Sequence, residues 1–168
     1  RILANAAGNN RNLQKKEAPV KKKDDERTHV DIKPASLKER RMIIDGYNCL
    51  YSWKSMEPYQ HGDLSVAREK LIDIIYAWQA YYKAPIVLVF DGYKRKDNAG
   101  SVENRRGMTI VYTRTDQTAD AWIEKTIAGL KGKYDMTVVT SDGLIQNAVL
   151  AAGAKRMSSR ELEEEIVR

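Results

Sequence analysis

From about residue 41 onward the chain predicts an α/β three-layer sandwich with a mostly parallel central sheet, preceded by a basic flexible arm over residues 1–40. Two observations carry this reading. Short apolar runs rich in β-branched residues alternate with longer stretches whose apolar residues return every 3.6 positions. Three of the runs are closed by an aspartate, where the carboxyl ends of parallel strands share one ligand-binding edge.

The elements follow in order. Met42-Ile43-Ile44 leads into Asp45-Gly46, a buried strand ending in a turn. A helix is expected over residues 65–82, with Ala67, Leu71, Ile74, Ile75, Trp78, Tyr81 and Tyr82 on its apolar stripe and Asp63 or Ser65 as its N-cap. Pro85 separates it from a strand over 86–90, which ends at Asp91. The stretch 91–107 is rich in Lys, Arg and Gly and reads as a flexible loop before a third strand, 108–112. A helix over 118–130 carries Ala119, Ile123, Ile127 and Leu130 on one side, and a fourth strand follows at 137–140. A helix over 144–152 ends at Gly153, a residue suited to the left-handed C′ position. Residues 154–157 can add an edge strand, and Ser158 with Glu161 forms a capping box opening a last helix over 159–167.

Residues 1–38 offer no core face: Asn9-Asn10-Arg11-Asn12 and Lys21-Lys22-Lys23-Asp24-Asp25-Glu26-Arg27 are polar and aperiodic, and Pro19 and Pro34 interrupt any regular element. The net charge of +6 sits in this part, since residues 1–41 hold 12 Lys/Arg against 6 Asp/Glu while residues 42–168 hold 17 of each. If metal neutralises the clustered acids, the rest of the folded surface is basic as well, which suits a polyanionic partner. No apolar run approaches the roughly 20 residues of a membrane span, and the first 41 residues lack the apolar core of a secretion signal. The single cysteine, Cys49, excludes an internal disulfide framework, fits a reducing, cytoplasmic setting, and reads as a small buried hydrophobe. The chain opens at Arg1 rather than Met, so it reads as a piece of a longer or processed product.

The acids carry the chemistry. Asp45, Asp91 and Asp142 follow strands, and Asp120 lies in the first turn of a helix with Glu124 one turn on. Each alone has a structural explanation: Asp-Gly is a common turn, Asp142 can cap a helix, and a helix N-terminus favours a carboxylate. Together at one sheet edge they repel and raise one another's pKa values unless a cation lies between them. An all-oxygen donor set suits Mg²⁺ or Mn²⁺. The expected metal ligands are Asp45 and Asp120, with Asp91, Asp142 and Glu124 binding directly or through water. Asn48 is placed to hold a phosphate, a metal-bound water or the Asp45 carboxylate, and Tyr47 to stack on a base or to fill space beside the neighbouring helix. Lys94, Arg95, Lys96, Arg105, Arg106 and Arg114 flank this edge as a candidate clamp for a phosphate backbone. His61 is isolated, and no GxxxxGK[ST], GxGxxG or zinc-ligand spacing is present.

In order, Ile43-Ile44-Asp45-Gly46-Tyr47-Asn48, Val89-Phe90-Asp91, Thr118-Ala119-Asp120 with Ile123-Glu124-Lys125, Thr140-Ser141-Asp142 and Ser159-Arg160-Glu161-Leu162 resemble the motifs of NYN-domain ribonucleases of the YacP type. The resemblance spans residues 41–168. It implies a PIN-like fold and a Mg²⁺- or Mn²⁺-dependent endoribonuclease, with Asp45, Asp91, Asp120 and Asp142 forming the site. Single-stranded RNA is the expected substrate, because its backbone can bend into the edge and its bases can stack on aromatics. Ser141, in the last acidic motif, is assigned with the RNA contacts. YacP-like proteins are associated with messenger RNA cleavage on the ribosome, which makes the ribosome a candidate partner. The 41-residue arm departs from simple members, which begin near the first strand, and leaves room for a fused N-terminal module. Two other readings compete. A phosphoacceptor receiver domain also places acids at strand ends, but it wants an acidic pair at the first strand and a late lysine that this chain does not supply. A module that binds RNA without cutting it shares every motif.

Overall fold

The computed structural model describes residues 38–92, 99–105 and 107–168. The arm over 1–37 and the cations Lys94, Arg95, Lys96 and Arg106 lie outside the described residues. The elements are β1 (Arg40–Asp45), α1 (Gly46–Ser52), a 3₁₀ turn (Lys54–Tyr59), α2 (Leu64–Tyr82), β2 (Ile86–Phe90), β3 (Ser101–Arg105), β4 (Met108–Tyr112), α3 (Ala119–Gly129), β5 (Asp135–Val139), a 3₁₀ turn (Gly143–Ile145), α4 (Gln146–Ala151), β6 (Lys155–Met157) and α5 (Ser159–Val167). The sheet runs β3-β4-β2-β1-β5-β6 and is parallel except for the β3–β4 pair.

Strands buried on both faces need two apolar layers, and period-two alternation supplies them. Met42, Ile44, Leu88, Phe90 and Ile110 face one cluster with Leu50, Trp53, Leu71, Ile75 and Leu162. Ile43, Val89, Val111 and Val138 face the other with Ile123, Ile127 and Val149. A fully buried Leu, Ile or Phe contributes about 1.5–3 kcal/mol, so these two layers dominate the stability of the fold. The connections out of β1 and β5 leave toward opposite layers. That divergence opens a crevice at the carboxyl ends of two neighbouring strands.

Most expected elements stand within a residue or two of their places. Asp63 caps α2 by accepting from Ser65 N at 2.8 Å, Gly153 takes φ +70°, and the Ser158/Glu161 capping box is formed on both sides. Four expectations change. Asp45-Gly46 is no turn but the start of α1, with Asp45 as its N-cap; seven residues are too few to show a helical period. Gly46 is required there, because a Cβ would stand 2.5 Å from Phe90 Cε1 and 3.0 Å from the Val89 carbonyl oxygen. The stretch expected as loop contains β3, an edge strand whose residues are mostly exposed and so carry no apolar alternation to read. Tyr81, expected on the apolar stripe, is exposed in the last turn of α2, and Ile72 is buried instead. The helix expected over 144–152 is divided into a 3₁₀ turn and α4. Among the described residues no helix is long and apolar enough to cross a membrane.

Candidate active site

The register of the sheet decides what meets at its carboxyl edge. Asp45 lies two residues beyond Ile43, and Asp91 two beyond Val89, so both continue the layer that packs against α3. Thr118 caps α3 by accepting from Ala121 N at 3.1 Å, and Asp91 Oδ2 accepts from Ala119 N at 3.3 Å, which ties the end of β2 to the helix start. Asp120 follows in the first turn. A cleft of about 550 Å³ is lined by Asp45, Asp91 and Asp120 together with Tyr47, Asn48, Tyr51, Ser52, Thr118 and Ala119. Asp142 does not line that cleft; it caps the turn after β5 by accepting from Leu144 N at 3.0 Å, yet its charge acts on both Asp45 and Asp120. Glu124 is exposed one turn along α3 and reaches the site only electrostatically, through Asp120.

Crowding shows in the titration of two acids. Burial pushes the Asp45 carboxyl up from 3.8 to about 6; the backbone N–H of Asn48 opposes the rise, and the charges of Asp91 and Asp142 add to it. Asp120 is raised to about 7, first by burial, then by a hydrogen bond with Asp142 and by the charges of Asp45, Asp142 and Glu124. Its Oδ1 is buried with no hydrogen-bond partner among the described residues. A buried acceptor left unpaired costs free energy unless something positive reaches it.

The donor chemistry therefore fits a hard divalent cation: oxygens only, excess negative charge, and one buried oxygen with nothing to accept from among the described residues. As placed, no three acidic, histidine or cysteine side chains among the described residues converge on a single ion position.

Around the acids lies a hydroxyl and amide scaffold. Asn48 Oδ1 accepts from Ser141 N at 3.0 Å, bridging α1 to the loop after β5 across the crevice. The hydroxyl of buried Ser159 lies 2.7 Å from Ser52 Oγ and 2.8 Å from Ser141 Oγ, and its carbonyl accepts from Trp53 Nε1 at 2.7 Å. Ser141, expected to touch RNA, thus spends its N–H and its hydroxyl inside the protein. Tyr47 fills space as expected and also faces the cleft. Its ring packs 5.2 Å from Phe90 and 6.1 Å from Tyr51, and it lines the cleft. Tyr51 and Ser52 carry no sequence signal of a site, since both lie in α1, too short to show a period. Thr118 and Ser159 stand in motifs that carry the family resemblance, though by themselves they look like ordinary helix-start residues.

Of the six cations expected as a phosphate clamp, the structure describes Arg105 and Arg114, and Arg105 does not stand with the acids. β3 runs antiparallel to β4, with Ser101 opposite Tyr112 and Arg105 opposite Met108. Arg105 therefore stands at the amino end of β4, the sheet edge opposite the acids. There it pairs with Glu69 at 2.6 Å and Glu103 at 3.7 Å. Arg114 does lie beyond the carboxyl end of β4, exposed and 3.5 Å from Asp116.

A mostly parallel α/β sandwich with aspartates from three different elements in one carboxyl-edge cleft defines a PIN-like domain of NYN type. The chain belongs to the YacP-like NYN domain family, whose profile matches residues 42–168. It is 31% identical over 126 residues to "Uncharacterized protein YacP" of Bacillus subtilis (strain 168), covering 74% of each chain. Two crystal structures of Rae1 (YacP) from Bacillus subtilis are similar as well. One, of a point mutant, has a TM-score of 0.62 at 28% identity, covering 75% of this chain and 73% of that one. The other has a TM-score of 0.60 at 29% identity, covering 74% and 72%. NYN domains are nuclease-like, with RNA as the implied substrate, and divalent metals are typical of NYN and PIN-like nucleases.

Proposed function

We propose that this chain is a divalent-metal-dependent endoribonuclease that hydrolyses phosphodiester bonds in single-stranded RNA. The supporting observation is the cleft in which Asp45, Asp91 and Asp120 meet from three elements, with Asp120 Oδ1 buried and unpaired among the described residues. Asp45 and Asp120 would hold the ion with Asp91 beside them, and Asp142 and Glu124, outside the cleft lining, would act through water. A Mg²⁺ or Mn²⁺ ion bound there would supply an acidified water and neutralise phosphoryl charge. The protein's own part is positioning. Because Ser141 N–H occupies Asn48 Oδ1, the amide NH₂ of Asn48 is left as a donor, the polarity needed to hold a phosphate oxygen. The aromatic wall of Tyr47 and Tyr51 offers a face to an unpaired base, which favours single strands over duplex. Messenger RNA as the substrate and a ribosome-associated setting rest on the family alone, and the cytoplasmic setting on the single cysteine, Cys49. The division into an arm over 1–40 and a nuclease domain over 41–168 is supported by the span of the family match.

The test is incubation of the purified chain with end-labelled single-stranded RNA and Mn²⁺, with and without EDTA. Internal cleavage that EDTA abolishes is the expected result. The lack of a ready three-ligand arrangement among the described residues gives weight to one rival, an RNA-binding module without turnover. Retention of RNA with no cleavage in Mn²⁺ or Mg²⁺ would select that rival.

A further inference from the structure

We propose that Arg68, with Tyr47 and Tyr51, forms a nucleotide subsite beside the acidic cleft, the guanidinium taking a backbone phosphate and the tyrosines its base. The proposal rests on the reading of the cleft as an RNA site and says where the strand continues from it. Arg68 lies near the start of α2, half-buried; its Nη1 donates to Tyr47 Oη at 3.1 Å, and its guanidinium carbon stands 5.9 Å from the Tyr112 ring centroid. Both partners belong to the carboxyl edge: Tyr47 follows Asp45 by two residues and lines the cleft, and Tyr112 ends β4.

What sets Arg68 apart is its place: among the described residues Arg40, Arg156 and Arg160 also have no carboxylate within ion-pair distance, but Arg68 bonds to a tyrosine that lines the acidic cleft. Arg41, Arg105, Arg114 and Arg168 each have a carboxylate within ion-pair distance. Arg68 has none among the described residues; exposed Asp63, at the cap of the same helix, feels its charge only at longer range. A guanidinium has five donors in a planar fork, and one hydrogen bond to a phenol leaves most of them unused. A partly desolvated cation held in place by a phenol and a ring, without a carboxylate, is suited to an incoming anion. Next to it Tyr51 is 48% exposed and Tyr47 packs against it, which supplies an aromatic face of the kind that stacks single-stranded bases. Cation and rings adjoin the cleft, so a strand crossing the aspartates would run onto them. Arg68 thus does at this edge what Arg105 was expected to do.

The experiment is fluorescence anisotropy with a labelled single-stranded RNA decamer in EDTA, which prevents cleavage, at several salt concentrations. For Arg68→Gln, affinity should fall about five- to tenfold and the slope of log K against log salt should flatten by about 0.7, one phosphate contact. Arg68→Lys should keep the slope while losing part of the affinity. Tyr51→Leu should lower affinity about tenfold with the slope unchanged, because stacking releases no counterions. Lys133→Gln, an exposed charge at the other sheet edge, serves as the control and should match the parent chain. Thermal melts of each variant separate misfolding from lost binding, and Tyr51→Leu carries the test if Arg68→Gln is unstable. Unchanged affinity and slope in a folded Arg68→Gln, with normal binding by Tyr51→Leu, would overturn the subsite and leave the cleft reading intact. No RNA binding by the parent chain would overturn both.

Discussion

Replacing Asp45 by Asn should stabilise the metal-free protein at alkaline pH and do almost nothing at acid pH. In the fold, the Asp45 carboxyl is pushed from 3.8 to about 6, mainly by burial. The sign follows from linkage: a carboxyl with a raised folded-state pKa favours the fold below its unfolded value, near 3.8, and loses that contribution as pH rises through about 6. Roughly two pKa units correspond to about 3 kcal/mol of penalty above pH 7. Asn removes the charge but keeps an oxygen to accept from Asn48 N, the contact that caps α1 at 3.3 Å. Its new NH₂ group needs a partner of its own, so a gain of about 1–3 kcal/mol is the expected range. For a domain of this size that is about 4–10 °C in melting temperature. The assay is thermal unfolding of parent and Asp45→Asn in EDTA at pH 4 and pH 8, then again at pH 8 with millimolar Mn²⁺. Ligand linkage should stabilise the parent and shrink or invert the gap when metal is added. A variant less stable than the parent at pH 8 in EDTA, or an equal gap at both pH values, would refute the argument that uncompensated charge is stored at this edge.

Asp120→Asn should lower RNA cleavage by orders of magnitude under limiting metal, since each 1.4 kcal/mol of lost transition-state stabilisation is tenfold; near-normal turnover of a folded variant would exclude Asp120 as a ligand. Mn²⁺ affinity, followed by calorimetry, should rise from pH 5 to pH 8 because Asp45 and Asp120 must ionise through about 6 and about 7, and a flat profile would place the ion elsewhere. Gly46→Ala should cost about 1–3 kcal/mol or more in urea unfolding, since its Cβ would meet the Phe90 ring at 2.5 Å and α1 would have to shift. Ser159→Ala, which strips the shared partner from Ser52 and Ser141, should cost about 1–2 kcal/mol; an unchanged midpoint would mean that water replaces the hydroxyl. Arg105→Gln should alter stability by less than about 1 kcal/mol, as surface ion pairs do, and leave the salt slope of RNA binding untouched.

Much of this protein is legible as periodicity. The alternation of apolar runs with 3.6-period stretches determines the sandwich, because strands buried on both faces and helices buried on one leave different spacings in a chain. The capping signals at Asp63 and at Ser158 with Glu161 are equally local, since cap and partner lie within three residues. The aspartates, too, stand out in the sequence, because in a parallel sheet strand ends share one edge whatever the strand order. Tertiary structure alone decided the rest. Strand order set the crevice between β1 and β5, and hence the Asn48–Ser141 bridge across 93 residues of sequence. The antiparallel turn of β3, an exposed strand with no pattern to betray it, carried Arg105 away from the acids. The packing of α1 against α2 put Tyr47 under Arg68, two residues that no spacing rule connects. Local propensity records what a residue prefers among its neighbours in sequence. Which unpaired charge faces which cleft depends on register and layer, and those are settled only when the whole core closes.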